Sequence, residues 1–144
     1  ELFFAWAGEK PPEMPARATW FSPGGFQAFE HYWAVPTAFE FHQAIGPQRI
    51  TGRIHELNAQ MREGLAKMPH VTLYTPRSRE LSSGMVCFDV KGMTAQQTVQ
   101  RLAERNRILA STTPYAVPFA RVAFGIQNSP DEVEKTLAAI RSMA

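Results

Sequence analysis

Three observations predict an α/β (α+β) domain whose mostly antiparallel sheet of about four strands carries helices on one side. From Pro47 onward the apolar periodicity switches between helix and strand in the order α, β, β, α, β, β, α, and strands that follow one another directly favour antiparallel pairing. Thr94 with Gln97, and Ser129 with Glu132, each form a capping box just ahead of an apolar stripe, which marks two helix starts. Pro and Gly clusters then separate these segments.

The elements follow in order. The opening ELFFAWAG reads as the end of a strand cut from something longer. Glu9 to Gly25 holds Pro11, Pro12, Pro15, Pro23, Gly24 and Gly25, a density that predicts a loop or crossing segment running over a surface. Phe26 to Trp33 reads as helix, Pro36 interrupts it with a kink, and Thr37 to Ile45 continues it up to Gly46. Pro47 suits a first helical position, and Ile50, Ile54, Leu57, Met61 and Leu65 draw one apolar stripe along the longest helix. Arg49, Arg53 and Arg62 fall mostly off that stripe and are expected on a solvated face. Val71 to Tyr74 and Met85 to Val90 read as strands, and a helix from Thr94 runs to about Arg105. Ile108 to Ser111 is expected as a third strand and Arg121 to Phe124 as a fourth, joined by the loop TTPYAVP. A final helix carries Val133, Leu137 and Ile140.

Composition narrows the function classes. A chain of 144 residues with 44% hydrophobic content can bury one core. The formal charge of +2 is small and scattered, and no basic patch interleaves with aromatics, so nucleic acid is not an expected partner. The one cysteine, Cys87, rules out an intrachain disulfide and reads as a small apolar strand residue. No apolar run approaches the roughly 18 residues needed to cross a bilayer, so no membrane role is expected. The chain reads as soluble, with cytoplasm and periplasm both open. The four histidines, His31, His42, His55 and His70, lack metal-ligand spacing among themselves or to Cys87, so no metal site is expected. No GxSxG, P-loop or GxGxxG motif is present.

Two places carry candidate chemistry. Arg121 stands at the mouth of an apolar strand that leads through the turn Gly125 to Asn128 into a capped helix. A guanidinium held there suits bidentate grip of a carboxylate, and a solvated strand-end cation is the plainer alternative. In FSPGGF, Phe21 to Phe26, the Ser22 hydroxyl and nearby backbone amides could accept a phosphate, against the alternative of an ordinary turn into a helix.

The segments FSPGGFQAFEHYWAV, AFEFHQAIGPQRITGRIHELNAQMREGLAKM, SSGMVCFDV and RVAFGIQNSPDEVEKTLAAI, in that order, resemble the C-terminal part of class V aminotransferases, nearest to the isopenicillin N epimerase-like branch. These are pyridoxal 5'-phosphate (PLP) enzymes of fold type I. The resemblance implies that residues 1–46 form an inter-domain arm and kinked helix, the tail of a missing N-terminal large domain, and that 47–144 form the small C-terminal domain. It implies an amino-acid substrate, a homodimer with the cofactor between subunits, and a Schiff-base lysine on the large domain. Arg121 matches the family arginine that grips the substrate α-carboxylate, and Ser22 the hydroxyl residue that reaches the neighbouring subunit's cofactor phosphate. The loop from Thr112 to Tyr115, with Thr113, matches the one facing substrate, and its lack of cysteine speaks against desulfurase chemistry. None of Lys10, Lys67, Lys91 or Lys135 stands in the Schiff-base context, and no counterpart of the aspartate that pairs with the pyridine nitrogen is found, so this chain alone is expected to bind no cofactor and to be inactive. A non-catalytic oligomerisation or small-ligand module on the same sheet is the alternative.

Overall fold

The computed structural model describes residues 29–144, so the Pro-rich arm and Ser22 lie outside the described residues. Helix α1 (Phe29–Ile45) leads through Gly46 into α2 (Pro47–Leu65). Then come β1 (Val71–Leu73), β2 (Met85–Val90), α3 (Ala95–Asn106), β3 (Ser111–Thr112), β4 (Ala120–Ala123) and α4 (Pro130–Arg141). The order after Pro47 is the expected one, and every strand pairing is antiparallel, in the spatial order β1-β2-β4-β3.

Each boundary has a local cause. Gly46 turns the corner between the first two helices at φ 99°, a left-handed value that a side chain disfavours, and Pro47 supplies the preset φ of a first helical turn. Both expected capping boxes form: Gln97 N donates to Thr94 Oγ1 at 3.2 Å and Glu132 N to Ser129 Oγ at 3.2 Å, with reciprocal bonds from the cap amides. α1 continues through Pro36, which stands inside the helix, so the helix resumes after it as expected. Two strand expectations need correction. The third strand begins at Ser111 rather than Ile108, since Arg107 caps α3 in a left-handed conformation (φ 55°) and Ile108 and Ala110 are used to pack against the core. The fourth strand is Ala120–Ala123, because the Phe124 carbonyl leaves the ladder to accept from Asn58 Nδ2 at 3.1 Å.

Period-two alternation decides which face is the core. Val86, Phe88 and Val90 of β2, with Ala120 and Val122 of β4, point to the face covered by α2, α3 and α4. Leu57, Met61 and Leu65 of α2 meet Val133, Leu137 and Ile140 of α4 in the same cluster. The two helices approach so closely that a Cβ on Gly64 would overlap the Leu137 side chain. The opposite face, with Met85, Cys87, Asp89, Arg121 and Ala123, is half-buried or exposed and has no helix over it among the described residues. Helix α1 exposes Trp33 (77%), Phe39 and Phe41, so its apolar surface lacks cover from the described residues.

Arg62 corrects the reading of α2. It is only 3% exposed, where a solvated face was expected, and its Nη1 has no hydrogen-bond partner. Burial pushes its pKa down, and neighbouring Glu63 opposes that shift.

Three outcomes test this packing. Leu57→Ala lowers stability by roughly 2–5 kcal/mol in denaturant unfolding, since a fully buried side chain leaves a cavity between α2 and α4. Arg62→Met leaves the unfolding midpoint equal or higher, because an apolar chain of similar length replaces a charge with an unmet donor. The Glu132 carboxylate is held below the usual range by the Ser129 amide first and Asn128 second. Its stabilising effect is therefore present above the unfolded carboxylate pKa of about 4.3 and fades as pH falls below that. Wild type should exceed Glu132→Gln in thermal midpoint at neutral pH and lose that lead on acidification; a pH-independent gap would contradict the assignment.

Candidate active site on the open sheet face

The open face owes its chemistry to register. Arg121 is the partner of Cys87 on β2 and of Ser111 on β3, so the three side chains form one row across the strands. The row reaches β1 as well, where Tyr74 N donates to Cys87 O at 3.0 Å just beyond the strand end. Arg121 thus stands within a ladder, flanked on both sides, rather than at a strand mouth. Paired backbone on two sides fixes its Cα, which a terminal position would leave free.

The Arg121 Nε–H donates to Ser111 Oγ at 3.0 Å. Among the described residues its two terminal nitrogens have no hydrogen-bond partner, and Arg53 with Glu56 is the single ion pair. Arg121 lines a hollow of about 400 Å³ with Met85, Leu109, Ala110 and Ser111. A half-buried cation with its planar fork free, walled mostly by apolar groups, is suited to an acid group of a small ligand. On its other flank the Cys87 thiol is pushed up by burial, a shift that nearby Arg121 partly opposes. That thiol stays neutral around pH 7 and does not compete for the guanidinium.

β4 itself is anchored beyond the site. Asn58, fully buried in α2, donates to Phe124 O, and Arg53 Nη2 reaches Asn128 O at 3.3 Å. The Gly125 amide donates to Asn128 Oδ1 at 2.9 Å, closing the turn into α4. These contacts tie the end of the strand that carries Arg121, and the turn after it, to α2.

The other expected site residues fall differently. Thr113 is 3% exposed and closes the β3–β4 loop: its amide donates to Phe119 O and its hydroxyl accepts from Phe119 N, both at 2.9 Å. It lies two residues from Ser111 and shapes the loop beside the hollow. Phe119 in turn stacks on Tyr74 with centroids 4.2 Å apart, and the Tyr74 hydroxyl donates to Asp89 at 3.0 Å, which pushes the phenol pKa up. Ser22 lies outside the described residues. Sequence reasoning missed Ser111, Cys87 and Asn58 as neighbours of the site, because only strand register and helix packing bring them there. The lysines Lys67, Lys91 and Lys135 are exposed and none lines the hollow. Among the described residues Arg121 is the one cation lining the hollow, and its planar fork is of a shape that suits a carboxylate. No group of three or more His, Cys, Asp or Glu that could hold a metal occurs among them, and no described helix is long and apolar enough to cross a membrane.

Comparison with known proteins adds a lineage to this geometry. Residues 22–136 match the family model of class V aminotransferases. The chain is 32% identical over 112 residues to isopenicillin N epimerase of Streptomyces clavuligerus, an alignment covering 76% of this chain and 28% of that enzyme. Its fold matches the apo cysteine desulfurase of Thermococcus onnurineus NA1 with a TM-score of 0.65 at 25% identity, over 72% of this chain and 28% of the other. It also matches a mutant of C-DES with glycine covalently linked to its PLP cofactor, with a TM-score of 0.68 at 23% identity, over 91% of this chain and 34% of the other. The chain spans under a third of the length of the curated relative it matches. A four-stranded antiparallel sheet backed by helices, with a family match running from before α1 into α4, leads to one assignment: the chain belongs to the class V aminotransferases, a family of PLP enzymes.

Proposed function

We propose that this chain is the small C-terminal part of a PLP-dependent enzyme of the isopenicillin N epimerase-like kind, acting on an amino acid whose α-carboxylate is received by Arg121. The observation that carries this reading is the Arg121 guanidinium, held at Nε by Ser111 while its terminal nitrogens have no partner among the described residues. Similarity to isopenicillin N epimerase along most of the chain supports the choice of an amino-acid substrate.

In this reading, residues 1–46 are the inter-domain arm and residues 47–144 the small domain. Ser22 contributes to the cofactor phosphate of a neighbouring subunit in a homodimer, and Thr113 keeps the loop beside the substrate in shape. The cofactor supplies an electron sink at the amino acid's α-carbon, and the lysine that holds it belongs to the large domain. What this chain contributes is orientation. A carboxylate fixed by a rigid planar cation sets the rotation of the amino acid about its α-carbon, so that one bond is presented for reaction. Arg121 binds and aligns; it carries no proton, since a guanidinium stays charged throughout the working pH range.

The test is Arg121→Ala in the complete enzyme. Removing one partner of a desolvated charge pair costs about 2–5 kcal/mol, so KM should rise about 30-fold or more while PLP absorbance and cofactor affinity stay at wild-type values. Equal loss of cofactor and substrate binding, or loss of neither, would reject the assignment.

A further inference from the structure

We propose that Ser111 is a positioning residue that dictates how Arg121 takes its acid group: with Nε engaged, only the two terminal nitrogens are on offer, and the carboxylate is gripped end-on. This rests on the reading of Arg121 as the carboxylate-binding cation and specifies its geometry.

A guanidinium presents five N–H donors along flat edges. A carboxylate can lie along the side edge, bonding Nε and one terminal nitrogen, or across the end, bonding both terminal nitrogens. The 3.0 Å bond from Nε to Ser111 Oγ occupies the side edge and leaves the end open. This bond is built into the sheet, because Ser111 and Arg121 are Cα partners and their side chains stand on the same face. The short strand that carries Ser111 is held in place one residue later by the paired bonds between Thr113 and Phe119.

Asp89, the carboxylate on the same face, accepts from the Tyr74 hydroxyl and makes no hydrogen bond or ion pair to Arg121 among the described residues. Cys87, on the other flank, offers only a weak acceptor and is kept neutral by burial. Two residues before and two after Arg121 stand Phe119 and Ala123, which have no side-chain acceptor. Ser111 is therefore the one polar anchor of Arg121 among the described residues. A long, rotamer-rich side chain already held at one nitrogen loses less freedom when a ligand arrives.

The experiment uses the 144-residue chain with ¹⁵N-labelled arginine, following the Arg121 Nε–Hε signal, which is identified by its disappearance in Arg121→Ala. Acetate is titrated at constant ionic strength, with methylammonium chloride as the control lacking an acid group. In wild type and Ser111→Thr, the Hε signal should be protected from solvent exchange and stay in place as acetate saturates. In Ser111→Ala and Ser111→Cys, Hε should exchange rapidly with solvent and move downfield with acetate, as the side edge becomes available. The half-saturating concentration should rise about 2- to 10-fold, the cost of ordering one rotamer-rich side chain that Ser111 no longer holds. A protected, unmoved Hε with unchanged acetate binding in Ser111→Ala would overturn the role of Ser111 and leave that of Arg121 standing. Acetate effects in wild type no larger than those of methylammonium, or equal to those in Arg121→Ala, would overturn both.

Discussion

The antiparallel register between β2, β4 and β3 is the constraint on which the site depends. It makes Val86 the partner of Val122 on one face and Cys87 the partner of Arg121 on the other. A slip of one residue would turn Arg121 into the core and Val122 to the open face. The core thus enforces the site: Phe88, Val86 and Val122 are buried against α2, α3 and α4, and their burial fixes which residues are left facing away. Sheet and helices together fix the location of the cation before any ligand is considered.

Beyond that register, the neighbours of Arg121 divide its work. Ser111 takes the side nitrogen and Cys87 stays neutral. Asn58 and Arg53 tie the end of β4 and the following turn to α2 through backbone carbonyls. A guanidinium in such surroundings differs from a solvated surface arginine, because part of its entropy is already lost and its remaining donors face a mostly apolar hollow. The chemistry proposed for this chain is accordingly that of positioning. In that proposal, proton movement and cofactor attachment are assigned to residues outside the group around Arg121.

Much of this fold was legible in the sequence because its signals were local. The two capping boxes, Pro47 at a helix start, the apolar stripe from Ile50 to Leu65 and the strand Met85–Val90 each follow from residue type and spacing within one element. The failures were non-local. Arg62 lay off the apolar stripe, and only its surroundings in the folded chain show it to be buried. Phe124 had the composition of a strand residue, but the buried Asn58 of α2 claimed its carbonyl. Likewise Arg121 was singled out by its type and place, whereas its partner Ser111 carried no local signal and emerged from pairing across strands. Resemblance to class V aminotransferases pointed at the family; it did not reveal which neighbour holds the arginine.

The most direct measurement is a crystal structure of the proposed complete enzyme with an amino acid bound. The account predicts both oxygens of the α-carboxylate within about 3 Å of the terminal nitrogens of Arg121, with the Nε bond to Ser111 retained. An α-carboxylate seated on another cation, with Arg121 facing solvent, would contradict it.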